Sequence, residues 1–244
     1  MLDHEKIIEL HQNGLSPKKI SELLGTYNTS IRRILLKHGK TLKNQSEAQV
    51  TNNNKFLDLD NEEVQYWLGM LAADGTIGNK DNLVCLGLQE KDKEHVDKYA
   101  YFIGVKTHKV HNKKYDSYEY RAYFKNKAIN LYLKSIGITN NKSANLNYKL
   151  PITNHFLRGV IDGDGYIRKE KPNIEIASQS QIFTNQLIEY LKLKDIHCTA
   201  HKSASVNIIG IYKKNDVKRL YDLLYKDASV FLERKKSRLD AFFL

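Results

Sequence analysis

Apolar positions recur with a helical period over the first forty residues and predict three short helices. In HEKIIELHQNG they fall on one side of a helix that ends at Gly14. In LSPKKISELLG, Ser16 is a suitable N-cap, Pro17 suits the first helical position and Gly25 suits termination. NTSIRRILLKHG predicts a third helix that begins after Asn28 or Thr29 as N-cap.

The third predicted helix places apolar residues inward and basic residues outward. This three-helix pattern resembles the resolvase and transposase type of helix-turn-helix domain, whose third helix enters the major groove of DNA. The resemblance implies DNA contacts by Asn28, Thr29, Ser30, Arg32, Arg33 and Lys37. The alternative is an ordinary three-helix bundle that makes protein contacts.

A second pattern occurs twice in the rest of the chain. EEVQYWLGMLAADGTIG (62–78) and NHFLRGVIDGDGYIR (154–168) each run from an amphipathic helix into Asp-Gly, a turn and an alternating strand. A helix, two strands and another helix follow each time. The predicted order is α-β-β-α-β-β-α, twice, which makes the fold class α+β.

Between these regions, residues 40–60 carry little apolar periodicity and a run of asparagines. We predict a linker with one short helical turn there. The predicted domains are a helix-turn-helix at 1–45, a linker at 46–60, a first repeat at 61–150 and a second repeat at 151–244.

Small residues recur four positions apart in the two repeated helices. They are Gly69 and Ala73 in the first helix, and Gly159 and Gly163 in the second. Because small side chains on one face let helix backbones approach closely, we predict that these helices pack together. Their ends would then hold Asp74 and Asp164 side by side, where two carboxylates repel unless a shared proton or a divalent cation lies between them.

The charge of the chain favours the cation. With 39 Lys and Arg against 28 Asp and Glu, the net charge is +11, which suits a polyanionic partner. Carboxylate oxygens suit Mg²⁺, which binds through one or two carboxylates together with substrate phosphates. Two lone cysteines, Cys85 and Cys198, and the lack of a long apolar run favour an intracellular chain that is neither secreted nor inserted in a membrane.

WLGMLAADG (67–75) and FLRGVIDGDG (156–165) resemble the two signature motifs of single-chain LAGLIDADG homing endonucleases, and the repeat order matches that fold over about residues 61–244. The resemblance implies pseudo-twofold symmetry, a saddle of two antiparallel sheets on DNA, and metal-dependent cleavage of both strands across the minor groove. Motif one has Ala72 where an earlier acid often stands; Asp162 keeps that acid in motif two.

The resemblance also implies a set of site residues. The catalytic candidates are Asp74, Asp164, Lys142, Lys236, Gln89 and Gln179, with Asn140 or Lys235 as alternatives for the basic position. The metal candidates are Asp74 and Asp164 with the adjoining Gly75 and Gly165. The expected cofactor is Mg²⁺, for which Mn²⁺ substitutes.

The strands of the repeats are expected to provide further DNA contacts. The candidates are Lys109, Lys113, Arg121, Arg168 and His201, because positive and polar side chains on one face of a sheet position phosphates and contact base edges. The alternative for residues 108–127 is an edge hairpin kept soluble by its lysines.

We therefore predict a monomeric, site-specific homing endonuclease that makes a Mg²⁺-dependent double-strand break in a long, roughly pseudo-symmetric DNA site. Its expected location is the cytoplasm or nucleoid of a bacterial host. Two alternatives stay open: a nuclease-derived transcriptional regulator that binds DNA without cutting it, and an RNA maturase.

Overall fold

The protein is described by a computed structural model that covers residues 2–40, 42, 54–113, 116–140 and 142–244, except for the side chains at 142 and 143. The chain divides into two compact units, Met1–Gln49 and Val50–Leu244. Within the described ranges, the helices are all too short or too polar to cross a membrane.

The N-terminal unit consists of three helices, α1 (His4–Gln12), α2 (Pro17–Leu23) and α3 (Asn28–Lys37). The Ser16 hydroxyl accepts a hydrogen bond from Lys19 N at 3.3 Å, and Pro17 occupies the first turn of α2, both as predicted. Gly14 and Gly25 follow α1 and α2 with φ of +87° and +60°, which glycine adopts without steric cost. The interior is formed by Ile7, Ile20, Ile31, Ile34 and Leu35.

The predicted cap of the third helix is wrong by one or two residues. The N-cap of α3 is Tyr27, whose side chain makes no capping bond, and Asn28 and Thr29 already belong to the first turn. The helix starts earlier than predicted. Tyr27 has the extended backbone conformation of a cap residue, with φ −84° and ψ 137°. Asn28 and Thr29 therefore remain exposed on the helix surface.

The first repeat contains α4 (Glu62–Ala73), β1 (Gly75–Ile77), β2 (Leu83–Gln89), α5 (Lys93–Ile103), β3 (His108–Asn112), β4 (Ser117–Lys125) and α6 (Lys127–Ser135). A short helix, α7 (Lys142–Asn145), leads into the second repeat. The strands form an antiparallel sheet in the order β1-β2-β4-β3, in which Leu86 lies opposite Ala122 and Gly87 opposite Arg121.

The second repeat contains α8 (Asn154–Asp164), β5 (Gly165–Ile167), β6 (Ile174–Ser178), α9 (Gln181–Leu193), β7 (Thr199–Ser203), β8 (Val206–Ile211) and α10 (Lys214–Tyr225). Its sheet has the equivalent order, β5-β6-β8-β7. A further helix, α11 (Glu233–Phe243), ends the chain. The predicted α+β fold of two α-β-β-α-β-β-α repeats is confirmed.

Two features of this unit depart from the predicted elements. Each Asp-Gly was predicted to lead into a turn. Instead, the strands β1 and β5 begin directly after Asp74 and Asp164. Each is only three residues long, which is too short for an alternating pattern to reveal it in the sequence. Residues 54–57 form the short helical turn that was predicted for the linker, but Phe56 within it is fully buried against the rings of Phe102 and Phe124 and so belongs to the core.

The helices α4 and α8 pack against each other at their glycines, as predicted. A Cβ added to Gly159 would lie 2.1 Å from Tyr66 O, and one added to Gly69 would lie 2.1 Å from Phe156 O. A partly buried ion pair also joins the helices: Nη2 of the buried Arg158 donates to Oε1 of the half-buried Glu62 at 2.7 Å. The pair of helices thus forms the centre of a single apolar core shared by both repeats.

Candidate functional site

Asp74 and Asp164 occupy the same place in their repeats. Asp74 is the C-cap of α4, Asp164 is the last residue of α8, and both are exposed. Their neighbours alternate between buried and exposed in the same order, over 71–77 and over 161–167. Each carboxylate is thus presented at the surface end of a buried helix.

The glycines after the two acids make this geometry possible. A Cβ on Gly75 would lie 2.6 Å from Leu71 O, and one on Gly165 would lie 2.4 Å from Ile161 O. Each strand therefore leaves the helix so closely that only glycine fits at its start. Both glycines adjoin the carboxylates, where the sequence predicted metal contacts.

Asp74 lines a cavity of about 290 Å³ that crosses from one repeat to the other. Gln89, from the end of β2, lines the same cavity, and so does Gly163 of the opposite motif helix. Asp74 Oδ2 is 3.1 Å from the position that a Cβ of Gly163 would take, so a larger residue there would contact the carboxylate directly.

Asp164 lines a second cavity, of about 220 Å³, with the corresponding partners. Gln179 follows the end of β6 as Gln89 ends β2, and Ala73 of the opposite motif helix takes the place of Gly163. The structure therefore brings each aspartate together with the glutamine that the sequence predicted for its repeat.

A buried lysine, Lys235, lies at the end of α8, near enough to Asp74 and Asp164 for both charges to act on it. Only 3 % of its surface is exposed, and its Nζ donates to Ile161 O at 2.8 Å and to Gly163 O at 2.7 Å. Burial lowers the pKa of Lys235 to about 8, against the attraction of Asp162, Asp74 and Asp164. This ammonium satisfies carbonyls at the end of α8 and offsets the negative end of the helix dipole, where the acids alone would be unfavourable.

The predicted basic residue of the second repeat, Lys236, lies elsewhere. Its Nζ pairs with Asp240 at 2.9 Å on the same helix, and neither Lys236 nor Lys235 is among the residues that line the two aspartate cavities. Lys142 is the basic residue that was predicted for the first repeat, and its side chain lies outside the described residues. Aligning NNKSANL with ERKKSRL pairs Lys142 with Lys235, so the register of these two segments was the signal that identifies Lys235.

Asp162, the additional acid of motif two, faces the protein interior. It is 1 % exposed and accepts hydrogen bonds from Tyr66 Oη, Tyr225 Oη and Leu232 N at 2.7–2.8 Å. Burial raises the pKa of Asp162, against these hydrogen bonds. Asp162 thus links the segment before α11 to the end of α8. Ala72, at the equivalent position of motif one, therefore lacks a structural contact.

The predicted DNA-contacting residues of the sheets do not share one face. Arg121 and His201 lie exposed on the sides of the sheets turned away from the buried residues, and Arg121 pairs with Glu119. Lys109 lies opposite Tyr120, which packs against the core, and its Nζ pairs with Glu90 at 2.8 Å. Lys113 and Arg168 are exposed near strand ends, and Arg168 lies 3.8 Å from Glu175.

In the N-terminal unit, the predicted contact residues share the surface of α3. Arg33 and Lys37 are exposed together with Asn28 and Thr29, whereas Ser30 and Arg32 are half-buried. The charged and polar surface of α3 is therefore accessible over its whole length.

The chain thus has a duplicated α+β fold in which both motif helices end in an exposed carboxylate, and known proteins share this fold. Residues 152–225 match the LAGLIDADG-like domain family. Among solved structures, I-DmoI in complex with DNA and Ca is similar over 72 % of this chain and 96 % of its own, with a TM-score of 0.51 and 15 % identity. The LAGLIDADG resemblance is confirmed by this match and this fold.

Two further structures share the fold. I-AabMI, a LAGLIDADG meganuclease bound to uncleaved DNA, is similar over 75 % of this chain and 89 % of its own, with a TM-score of 0.51 and 15 % identity. Full-length WhiA from Thermotoga maritima is similar over 75 % of this chain and 59 % of its own, with a TM-score of 0.52 and 14 % identity.

A curated relative extends the comparison at the level of sequence. An uncharacterized protein of Methanocaldococcus jannaschii is 27 % identical over 153 residues, which cover 56 % of this chain and 54 % of the relative. The chain thus spans about half the length of this relative.

Proposed function

We propose that this chain is a site-specific DNA endonuclease that uses a divalent cation, Mg²⁺ in the first place, to break both strands of double-stranded DNA. The observation that carries the proposal is the arrangement of Asp74 and Asp164. They lie at the exposed ends of two packed helices, both act electrostatically on the buried Lys235 ammonium, and each shares a cavity with a glutamine. Because the fold alone occurs with different functions, the proposal rests on these residues.

The donor atoms of the site fit Mg²⁺. Carboxylate and carboxamide oxygens surround the two cavities, and the described residues contain no cluster of three or more Asp, Glu, His or Cys that would form a closed cage. Mg²⁺ is typically held by one or two carboxylates, with water and substrate phosphates completing its shell. When bound, it would activate water and neutralise charge at the scissile phosphates.

In this proposal, each side chain has a distinct task. Asp74 and Asp164 hold the cation, and the carbonyls of Gly75 and Gly165 are further candidate ligands. Gln89 and Gln179 orient water or a phosphate oxygen in their cavities. Lys235 keeps the helix end compact and places a positive charge behind both carboxylates.

The sheets and the N-terminal unit would each add contacts to the DNA. Arg121 and His201 project from the exposed faces of the sheets, and α3 presents Arg33 and Lys37. We propose a monomer that acts on a long, roughly pseudo-symmetric site in the cytoplasm or nucleoid of a bacterial host, as an intron-homing enzyme would.

The second candidate is a DNA-binding transcriptional regulator that does not cut. The three-helix N-terminal unit with its polar, basic α3 favours this candidate, since such a unit would bind an operator without cleavage. Selection of cleaved sites from a random duplex library with Mg²⁺ distinguishes the two. An enzyme yields one family of cleaved sites with fixed ends. A regulator yields no cleaved sites, and its sites are recovered only by selection for binding.

Replacing Lys235 by methionine is expected to abolish most cleavage and to lower the free energy of unfolding by about 1–3 kcal/mol, because two buried carbonyls lose their donor. Lys236→Met is the matched control, since it removes only a partly exposed ion pair with Asp240. Single-turnover cleavage and urea unfolding of both variants test this. Equal losses in the two variants would contradict the assignment of Lys235.

The lowered pKa of Lys235 also predicts a pH dependence with a definite sign. The unfolded lysine binds its proton up to about pH 10.5, while the folded one releases it near pH 8. Between these values the unfolded state holds more protons, so stability relative to Lys235→Met rises with pH, by up to about 3 kcal/mol. Cleavage falls over the same range because the positive charge is lost. Urea unfolding and cleavage rates from pH 7 to 10 measure both.

The contribution of α3 is testable through salt. Replacing Arg33 and Lys37 by glutamine removes two exposed charges and is expected to weaken target binding and to reduce the slope of log K against log salt by about 2. Lys18→Gln, at an exposed lysine of α2, is the control and should leave the slope unchanged. Titration of labelled target DNA at several salt concentrations gives the slope. An unaltered slope in the double variant would show that α3 does not contact phosphates.

A further inference from the structure

An arginine side chain, Arg234, forms part of the wall of the Asp74 cavity and is paired with an aspartate of the first repeat. Arg234, in the first turn of α11, lines this cavity with Asp74 and Gln89. Its Nε donates to Asp92 Oδ1 at 2.6 Å, and its Nη2 donates to Asp92 Oδ2 at 2.9 Å. Arg234 follows the second repeat in the chain and Asp92 belongs to the first, so the pair fixes one repeat to the other at the cavity.

The Asp92 carboxylate pairs with Arg234 and does not cap its own helix. It is the N-cap of α5, where an aspartate usually accepts hydrogen bonds from the amides of the first turn, yet its side chain makes no capping bond. The side chain of Asp92 is 5 % exposed and that of Arg234 is 35 % exposed. The two-point contact sets the plane of the guanidinium and leaves Nη1 outside the pair.

The second repeat has a different arrangement at the same place. The N-cap of α9 is Ser180, which caps Phe183 N in the usual way and donates to Leu146 O at 2.6 Å. In the aligned segments NNKSANL and ERKKSRL, the residue that corresponds to Arg234 is an asparagine. Of the described residues that line the Asp164 cavity, none is a cation, whereas the Asp74 cavity has Arg234 and the exposed Lys91.

We propose that Arg234 contacts the scissile phosphate of the DNA strand that is cut at Asp74, and that the cut in the other strand does not use it. This inference rests on the proposed endonuclease function. In the hydrolysis, water oxygen bonds to phosphorus, the bond from phosphorus to the leaving sugar oxygen breaks, and one proton of the water ends on that oxygen. Arg234 donates hydrogen bonds to the phosphate oxygens on which negative charge accumulates.

The test is single-turnover cleavage of target DNA with each strand labelled separately, in Mg²⁺. Arg234→Gln is expected to slow the cut in one strand by about 100- to 1,000-fold, the usual loss for one donor to a developing charge, and to leave the other strand within about twofold. Nicked DNA therefore accumulates. Arg238→Gln, one turn further along α11, removes a guanidinium bonded to Ile167 O and should slow neither strand.

A second variant separates the loss of contact from a loss of folding. Arg234→Gln leaves Asp92 buried without its cation, so the double variant Arg234→Gln with Asp92→Asn removes both charges and keeps a polar pair. It should unfold at the same urea concentration as the wild type and still cut one strand slowly. Equal rates for the two strands in both variants would overturn the role of Arg234 and leave the endonuclease function standing. A wild type that binds its selected site and cuts neither strand would overturn the endonuclease function itself.

Discussion

Alanine at Gly159 is expected to prevent the two motif helices from packing and to lower the free energy of unfolding by more than about 3 kcal/mol. The added Cβ would lie 2.1 Å from Tyr66 O and 2.8 Å from Met70 N. Both are backbone atoms of a buried helix, so neither can move aside as a flexible side chain would. The gain in helix propensity from glycine to alanine is about 1 kcal/mol, which is too small to offset this clash.

The same chemical change at a glycine whose nearest neighbour is a flexible side chain provides the control. A Cβ on Gly87 would meet only the Arg121 side chain, at 3.1 Å for its nearest atom, and this side chain can shift. Gly87→Ala should therefore change the free energy of unfolding by less than about 1 kcal/mol. Urea unfolding followed by circular dichroism measures both variants. A Gly159→Ala protein as stable as the wild type would show that the helices do not approach as closely as described.

This helix pair is also where the sequence was most informative. Spacing of four between Gly69 and Ala73, and between Gly159 and Gly163, defines one small-residue face on each helix, and a face of small residues has few roles other than close packing. Repetition of the pattern then predicts the symmetry of the fold. By contrast, β1 and β5 are three residues long, and Phe56 is a lone aromatic in a polar segment, so neither produces a period.

The site was predictable to the extent that it follows local order along the chain. Asp74 and Asp164 lie at the ends of their helices, Gln89 ends the second strand of the first repeat and Gln179 directly follows the second strand of the other, so position in the repeat identifies them. The register of NNKSANL against ERKKSRL points to the position of Lys235, but its burial and its hydrogen bonds to Ile161 O and Gly163 O are long-range contacts that no local pattern specifies. The carboxylate of Asp162 is likewise identified as structural only by its buried partners.

Asparagine at Asp74 or at Asp164 is expected to abolish double-strand cleavage while target binding persists. Asparagine has nearly the same shape but lacks the negative charge that a divalent cation requires. Loss of a charge that faces phosphate should tighten binding slightly. Because both aspartates are exposed and lie near Lys235, the free energy of unfolding should change by no more than about 1 kcal/mol. Asp222→Asn, at an exposed acid of α10, serves as the control and should cut normally.

The most direct test measures plasmid cleavage in Mg²⁺ beside DNA binding in Ca²⁺, which supports binding without turnover in sites of this kind, for the wild type and for Asp74→Asn, Asp164→Asn and Asp222→Asn. The substrate is a plasmid that carries the site selected from the random library. All four proteins are expected to bind, and only the wild type and Asp222→Asn are expected to linearise the plasmid. Linearisation by Asp74→Asn or by Asp164→Asn at the wild-type rate would contradict the assignment of the two carboxylates as the cation ligands of a DNA endonuclease.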